Sequence, residues 1–255
     1  NKNFKGSISF LITGDEESVA INGTKKVVEY LKKKKEKIDF CIVGEPSNRS
    51  KLGQMIKIGR RGSITTHLTV IGKQGHVAYP LEALNPATPI IKILDELKSK
   101  PLDKGNKNFQ PSNLEITKIS IDNSTDNVIP AKSSATFNIR YNTLHTFSSL
   151  KKYISKIIKK YERKYKCKTQ TQFQGTGTAF LTKPNQTVKK IRSIIKKETK
   201  QNTVLSTIGG TSDARFIKDI APCIEFGLVG NTMHQVDERS SIKDIKKLKS
   251  IYLKI

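Results

Sequence analysis

Residues 7–46, SISFLITGDEESVAINGTKKVVEYLKKKKEKIDFCIVGEP, decide the fold class of this chain. Their first part, residues 7–13, is an apolar run bounded by glycines, which is typical of a buried strand. Residues 25–37 then carry apolar side chains at helical spacing, and residues 38–43 form a second apolar run. A strand, a helix and a strand in this order predict a parallel βαβ unit.

The rest of the chain changes pattern twice. Strand and helix patterns in the order ββαββαβ occupy residues 55–71, 86–97, 114–121, 134–141, 147–165 and 169–173. That order predicts an antiparallel sheet with helices on one face. The α/β pattern then returns, with helices at residues 188–199, 212–218 and 242–253 and a strand at residues 223–226.

The predicted fold class is α/β, with a mixed, mainly parallel sheet flanked by helices. We expect this α/β domain to comprise residues 1–61 and 175–255. An inserted α+β, ferredoxin-like domain at residues 62–174 interrupts it, and its length is usual for one domain.

Composition and charge exclude several classes of protein. The 255 residues include 47 Lys or Arg and 22 Asp or Glu, a formal net charge of +25. Nucleic-acid binders show such an excess, but here it consists mostly of lysine doublets at helical registers, which usually lie on solvated faces. No run approaches the roughly 18–20 apolar residues of a membrane span. Three scattered cysteines predict a reducing, cytoplasmic environment.

Acidic residues follow both predicted strands of the βαβ unit, at residues 15–17 and at Glu45. Ligands bind beyond the carboxyl ends of strands in open α/β sheets. Taken singly, the acidic triplet is typical of a solvated turn. Two glutamates and a histidine on separate strand-end loops nevertheless suit a divalent metal such as Zn²⁺. Within such a site, Glu16 and Glu17 would divide proton transfer and metal binding.

The histidines, arginines and glycines offer further candidates. His76 follows a glycine that permits close backbone approach, and His234 lies in a loop after a strand, whereas His67 is expected to be structural and His145 a surface or capping residue. The run GGTSD (209–213) opens a helix, where it either binds an anion or supplies an N-cap through Thr211 or Ser212. Arginines 60, 61 and 140 present planar forks for carboxylates.

Ten stretches of the sequence together resemble the succinyl-diaminopimelate desuccinylases, di-zinc amide hydrolases of the aminoacylase/carboxypeptidase clan. They occur in family order: TGDEES (13–18), DFCIVGEPS (39–47), IGRRGSIT (58–65), GKQGHVAYP (72–80), NPATPIIKIL (85–94), DNVIPA (126–131), FNIRYN (137–142), FLTKP (180–184), GGTSDARFI (209–217) and NTMHQVDE (231–238). The resemblance implies metal-dependent hydrolysis of N-succinyl-LL-2,6-diaminopimelate to succinate and LL-2,6-diaminopimelate, a step of lysine and diaminopimelate biosynthesis.

The resemblance also implies a role for each matching residue. Glu16 would be the general base and acid, while Glu17, Glu45 and His234 would ligate zinc. In the inserted domain, His76 and Asn127 would stabilise the oxyanion, with His76 reaching the partner subunit's active site. The residues implied to hold the substrate's carboxylates are Arg60, Ser63, Arg140, Gly210, Thr211 and Ser212. The cofactor implied is two Zn²⁺ ions per subunit, with Co²⁺ as an alternative, and the partner is a second subunit bound through the inserted domain, which acts as a lid.

One departure from the family concerns the metal. The family's first zinc ligand, a His in an HxD motif, and its bridging Asp precede the DEE motif, but only 14 residues precede Asp15 here. The sequence therefore predicts an N-terminally truncated chain with few or no bound ions and no activity alone. The alternatives are an acetylornithine deacetylase or another aminoacylase of the clan, or a non-catalytic basic module that dimerises or binds nucleic acid.

Overall fold

The computed structural model describes residues 5–17, 20–210 and 212–255. The chain divides into two compact units. Unit 1 comprises Asn1–Ile58, Thr182–Ser206 and Gly210–Ile255, and unit 2 comprises Gly59–Leu181 and Thr207–Gly209. The insertion that the sequence analysis places at residues 62–174 lies inside unit 2.

The regular elements are short strands and amphipathic helices. The strands are β1 (Cys41–Val43), β2 (Met55–Lys57), β3 (Gly59–Arg60), β4 (Gly62–Ile71), β5 (Gly75–His76), β6 (Asn113–Ile121), β7 (Val128–Ile129), β8 (Lys132–Tyr141), β9 (Lys168–Gly177), β10 (Phe180–Leu181), β11 (Val204–Ser206) and β12 (Cys223–Glu225). The α-helices are α1 (Thr24–Lys34), α2 (Ala87–Ser99), α3 (Phe147–Tyr165), α4 (Gln186–Thr199), α5 (Ala214–Ile217) and α6 (Ile242–Tyr252), and a 3₁₀ turn covers Pro80–Glu82.

The described part of unit 1 is built on a mixed sheet in the order β1-β12-β2-β11. The pairs β1–β12 and β2–β11 are parallel, and β12 pairs antiparallel with β2. Helix α4 turns Val188, Ile191 and Ile195 inward, and its start is fixed where the Asn185 side chain accepts a hydrogen bond from the Val188 N–H. The predicted mixed, mainly parallel sheet with flanking helices is confirmed.

The prediction of a strand at residues 7–13 is wrong. This described segment belongs to no strand, and Phe10 and Ile12 are 88% and 91% exposed. The neighbour of β1 is β12 instead, so the predicted βαβ unit does not form. A strand needs a partner for its backbone N–H and C=O groups, and none of the described residues pairs with this apolar run.

Unit 2 contains an antiparallel sheet in the order β6-β8-β4-β9. Alternate residues of β4 and β8, among them Leu68 and Phe137, face a core that also holds Ile90 of α2 and Ile154 of α3. Helix α3 spans the predicted residues and opens with a capping box between Thr146 and Ser149. The expected antiparallel sheet with helices on one face is confirmed.

Small differences from the sequence expectations concern turns and edges. His145 is not a cap, because its Nε2 lies 3.0 Å from Oδ2 of Asp103 while Thr146 caps α3. Strands β5, β7, β10 and β11 have only two or three residues each. Such strands are too short for a periodicity to predict them. Within the described ranges, no helix has both the length and the apolar character needed to cross a membrane.

Candidate active site

The residues that the sequence analysis assigned to chemistry divide between the two units. Unit 1 contains Glu16, Glu17, Glu45, Gly210, Ser212 and His234, and unit 2 contains Arg60, Ser63, His76, Asn127 and Arg140. Thr211 lies outside the described residues. Each unit therefore holds one group of predicted site residues.

The acidic turn of unit 1 is closed by its first carboxylate. Asp15 has a left-handed backbone, with φ of 65°, and its Oδ2 accepts hydrogen bonds from the N–H groups of Ile21 and Asn22 at 2.7 and 3.0 Å. These bonds, that of Asn22 first, lower the pKa of Asp15. Asp15 thus fixes the shape of the turn, and Glu16 and Glu17 are the next two residues of that turn. The side chain of Glu17 is 77% exposed.

A histidine from a distant loop lies beside this turn. His234 also has a left-handed backbone, with φ of 60°, and its N–H donates to Oε2 of Glu238 at 3.2 Å. Its Nε2 lies 3.9 Å from Oε2 of Glu17. The fold of unit 1 therefore brings together two of the three predicted zinc ligands.

Glu45 lies at the same edge of the unit 1 sheet. It follows the carboxyl end of β1, and the loop with His234 follows the carboxyl end of the parallel strand β12. The two loops run alongside each other, because the Gly230 N–H donates to the Asn48 carbonyl at 2.9 Å. Gly227 permits this approach, since a Cβ there would stand 2.4 Å from the Glu45 carbonyl oxygen.

The donor types suit zinc, but the described residues do not complete a site for it. An imidazole nitrogen and a carboxylate oxygen are both common zinc ligands. Across the described ranges, however, no three His, Cys, Asp or Glu side chains form a group able to hold a metal ion. Glu17 and His234 are thus a pair of ligand-type side chains, and the assignment of Glu45 as a third ligand stays a prediction.

Ser212 of the GGTSD segment does not cap the helix that follows it. Ser212 is fully buried, and its hydroxyl donates to the carboxylate of Glu225, which is 1% exposed. The N-cap of α5 is Asp213, which makes no capping bond with its side chain and instead accepts from the Thr24 hydroxyl at 2.5 Å. The N-cap role proposed for Ser212 is therefore wrong, because the N-cap position falls one residue later, on Asp213, and the Ser212 side chain is buried against Glu225. A Cβ on Gly210 would meet no atom within 4 Å.

In unit 2, His76 and Asn127 lie on neighbouring segments. β5 pairs with β7, so His76 lies opposite Val128, and the Val77 N–H donates to the Asn127 carbonyl at 3.0 Å. Nδ1 of His76 accepts from the Ala78 N–H at 3.0 Å. The neutral ring therefore carries its proton on Nε2, which is available as a donor.

Two of the predicted carboxylate-binding residues of unit 2 lie at one end of its antiparallel sheet, and the third, Arg60, lies on β3, which pairs with β10. Arg60 is 6% exposed on β3, and Ser63 is 3% exposed on β4. Arg140 on β8 is the cross-strand partner of Ser63. Because paired residues point to the same face, Ser63 and Arg140 present their side chains together.

Two arginines to which the family resemblance gives no role also have unusual surroundings. Nη1 of Arg61 donates to Oδ1 of Asn113 at 2.7 Å. Nε of Arg215 is buried, and in the described part of the chain no hydrogen-bond partner reaches it. Arg61 was noted as one of three possible forks, but only the structure shows what surrounds it. The sequence around Arg215 contains no pattern that predicts a role for this arginine.

Comparison with known proteins identifies the class of unit 2 and the relatives of the whole chain. Residues 58–166 match the peptidase dimerisation domain (M20_dimer). The chain is 65% identical over all its 255 residues to the succinyl-diaminopimelate desuccinylase of Pelagibacter ubique (strain HTCC1062), of which it spans 66%. It is 48% identical over 249 residues, 98% of the chain, to the succinyl-diaminopimelate desuccinylase of Methylobacterium radiotolerans, of which it spans 64%.

Solved structures show the same fold at low sequence identity. The aminopeptidase PepT from Bacillus cereus superposes with a TM-score of 0.76 at 14% identity, over 95% of this chain and 62% of that one. A tripeptidase from Staphylococcus aureus gives a TM-score of 0.71 at 19% identity, over 89% of this chain and 58% of that one.

The fold and this match define a two-unit protein, in which a peptidase dimerisation domain accompanies a mixed α/β unit. The 65% sequence identity to the Pelagibacter relative over all 255 residues is more specific. It confirms the resemblance noted from the motifs. The chain belongs to the succinyl-diaminopimelate desuccinylase family. It spans about two thirds of the length of these curated relatives.

Proposed function

We propose that these 255 residues form part of a metal-dependent amide hydrolase that removes the succinyl group from N-succinyl-LL-2,6-diaminopimelate. The single observation that carries the proposal is the approach of His234 to Glu17 at 3.9 Å, directly beside Glu16. It supplies ligand-type and proton-transfer groups at one edge of a mainly parallel sheet, where such sites form. The names of the relatives supply the substrate.

In this proposal Glu16 moves the proton. It would accept a proton from the attacking water and return it to the amino group of the leaving diaminopimelate. Glu16 lies next to Glu17 but is less exposed, and Asp15 fixes the turn that carries both. A carboxylate on a turn held by two backbone hydrogen bonds is positioned well for this role.

His76 and Asn127 would stabilise the oxyanion. Because Nδ1 of His76 accepts from the Ala78 N–H, its Nε2–H is the group that can donate to a developing negative charge. Arg60, Ser63 and Arg140 in unit 2, with Gly210, Thr211 and Ser212 in unit 1, would bind the carboxylates of the substrate. We further propose a homodimer formed through unit 2, supported by the dimerisation-domain match, and a cytoplasmic location, supported by three free cysteines.

The metal belongs to the proposal as well. Glu17, Glu45 and His234 are the residues of this chain that would hold zinc, or cobalt in its place, two ions per subunit in the complete enzyme. A bound zinc ion polarises a carbonyl and lowers the pKa of water.

A hybrid enzyme tests the function. These 255 residues would replace the matching residues of the Pelagibacter relative, and succinate release from N-succinyl-LL-2,6-diaminopimelate would be measured. We expect the hybrid to be active, and Glu16→Gln to lower kcat by roughly 10²–10⁴-fold with unchanged metal content. Glu29→Gln, at an exposed carboxylate of α1, is the matched control. An inactive hybrid that folds and binds metal would contradict the function, and normal kcat in Glu16→Gln would contradict the role of Glu16.

A further inference from the structure

Two of the three cysteines lie side by side in the sheet of unit 1. Strands β1 and β12 are parallel neighbours, and Cys41 is the register partner of Cys223. Register partners on adjacent strands project to the same face of the sheet, and the two strands lie about 4.8 Å apart. The Cβ atoms of the two cysteines are therefore expected at about this separation, with both thiols on one face.

The surroundings of the pair show that the two thiols are within electrostatic reach of each other. Cys223 is fully buried, and its Sγ donates to the Ala214 carbonyl of α5 at 3.8 Å, whereas Cys41 is partly buried. Burial raises the pKa of both thiols. For Cys223 the next cause is Cys41; Glu225, on the same strand, raises this pKa as well, and Lys218 lowers it. Both cysteines are therefore thiols rather than thiolates near neutral pH.

The spacing of the strands suits a bridging metal ion better than a disulfide. A disulfide holds its two Cβ atoms about 3.5–4.5 Å apart, which is closer than the spacing of about 4.8 Å between paired strands. A metal–thiolate bond is about 2.3 Å long, so an ion on the line between two sulfurs holds them about 4.6 Å apart. Two parallel side chains on paired strands therefore match a linear, two-coordinate ion without movement of the backbone.

The number and type of the donors select the ion. Thiolates are soft ligands that suit soft ions such as Cu(I), whereas structural zinc sites take four ligands. Among the residues that the structure describes, no third His, Cys, Asp or Glu joins the pair in a group able to hold an ion. Cu(I) between two thiolates carries one net negative charge, and the ammonium of Lys218 is a nearby cation that favours it.

We propose that Cys41 and Cys223 form a two-thiolate site for a soft monovalent metal ion such as Cu(I). When the ion binds, two sulfur–metal bonds form, two S–H bonds break, and both protons pass to the buffer. The bound ion connects β1 with β12, whose carboxyl ends lead to the loops of Glu45 and His234. Neither cysteine takes part in the proposed hydrolysis, so a test of this site is independent of that function.

Competition for Cu(I) between the 255-residue chain and the chromogenic chelator bicinchoninate, without oxygen and with a reductant, tests the site. We expect the wild-type chain to withdraw one equivalent of Cu(I). Cys41→Ala and Cys223→Ala should each weaken this binding by about 10²–10³-fold, which is the share of one ligand in a four-ligand zinc site. Cys167→Ala, at the buried cysteine of unit 2, is the matched control and should leave the affinity unchanged. His234→Ala should leave it unchanged as well.

Three results would overturn the inference. They are a wild-type chain that takes no Cu(I) from the chelator, unchanged affinity in Cys41→Ala or Cys223→Ala, and an equal loss in Cys167→Ala or His234→Ala. If circular dichroism shows that an alanine variant is unfolded, X-ray absorption at the copper edge of the wild-type complex decides instead. Two sulfur neighbours of copper are expected there. A single sulfur neighbour, or nitrogen and oxygen neighbours alone, would contradict the pair.

Discussion

The pair formed by Glu17 and His234 predicts the zinc affinity of this chain. At a tetrahedral angle, Zn–N and Zn–O bonds place the two donor atoms about 3.4 Å apart. The observed separation of 3.9 Å is longer by about 0.5 Å, so these side chains need only a small movement to share an ion. Both are well exposed, at 77% and 66% of their side chains, and such a movement costs little.

The magnitude follows from the number of ligands. Structural zinc sites with four protein ligands are worth about 10–16 kcal/mol, so two ligands should supply about half, or about 5–8 kcal/mol. This corresponds to a Kd of roughly 10⁻⁴–10⁻⁶ M for a single ion. His234→Ala should abolish this binding, because a single exposed carboxylate remains.

Calorimetry with Zn²⁺ on metal-free chain is the assay. His76→Ala is the matched control, because His76 is an exposed histidine of unit 2 with no carboxylate partner among the described residues. Two equivalents bound with sub-micromolar affinity would refute the reasoning, since they require ligands beyond this pair. Equal losses in His234→Ala and His76→Ala would refute it as well, since the binding would then be non-specific.

Three further predictions concern packing, pH and assembly. Gly62→Ala should destabilise the chain by about 1–3 kcal/mol, because the new Cβ would stand 2.2 Å from Cζ of the buried Tyr141. Urea unfolding measures this loss, with Gly14→Ala as the control, since a Cβ at Gly14 would meet no atom within 4 Å. Burial, then the neighbouring Cys41 and Glu225, raise the pKa of the Cys223 thiol to about 12 from 9.0. The unfolded chain therefore loses this proton first, so stability should fall as pH rises above about 9, by about 2 kcal/mol near pH 10.5. Cys223→Ala should remove that part of the decline, and an identical decline in the variant would exclude this thiol as its cause. In the hybrid enzyme, inactive His76→Ala and Glu16→Gln subunits should regain activity when mixed, since one site of the mixed dimer then has both groups; heterodimers without activity would place His76 in its own chain's site.

Local sequence signals predicted the long elements of unit 2 closely. Helix α3 begins and ends where its apolar spacing predicts, and the structure shows a Thr146–Ser149 capping box at its start. Strands β4 and β8 alternate buried and half-buried residues along most of their length, a pattern that a sequence displays directly. Strands of two or three residues, such as β5 and β11, have no such periodicity, so only their pairing partners define them.

The sequence names candidate site residues but not their contacts. The family motifs predict roles for Glu16, Glu17 and His234, yet no spacing along the chain gives the 3.9 Å between Glu17 and His234. Ser212 is the clearest difference. Its position before a short helix favoured a cap, but the N-cap position falls on Asp213. The Ser212 hydroxyl instead donates to the buried carboxylate of Glu225 on β12, which the folding of unit 1 brings near.

The sequence by itself determined the family, the α/β class with an antiparallel insertion, and the identity of the residues available for chemistry, because these depend on composition, periodicity and motifs along the chain. Only the tertiary structure decided that residues 7–13 stay exposed outside any strand, that β1 pairs with β12, and that Arg61 donates a hydrogen bond to Asn113. The physical reason is that pairing, burial and electrostatic proximity are relations between segments far apart in the sequence. A run of apolar residues indicates that its burial would be favourable, but only the fold provides a surface against which it can be buried.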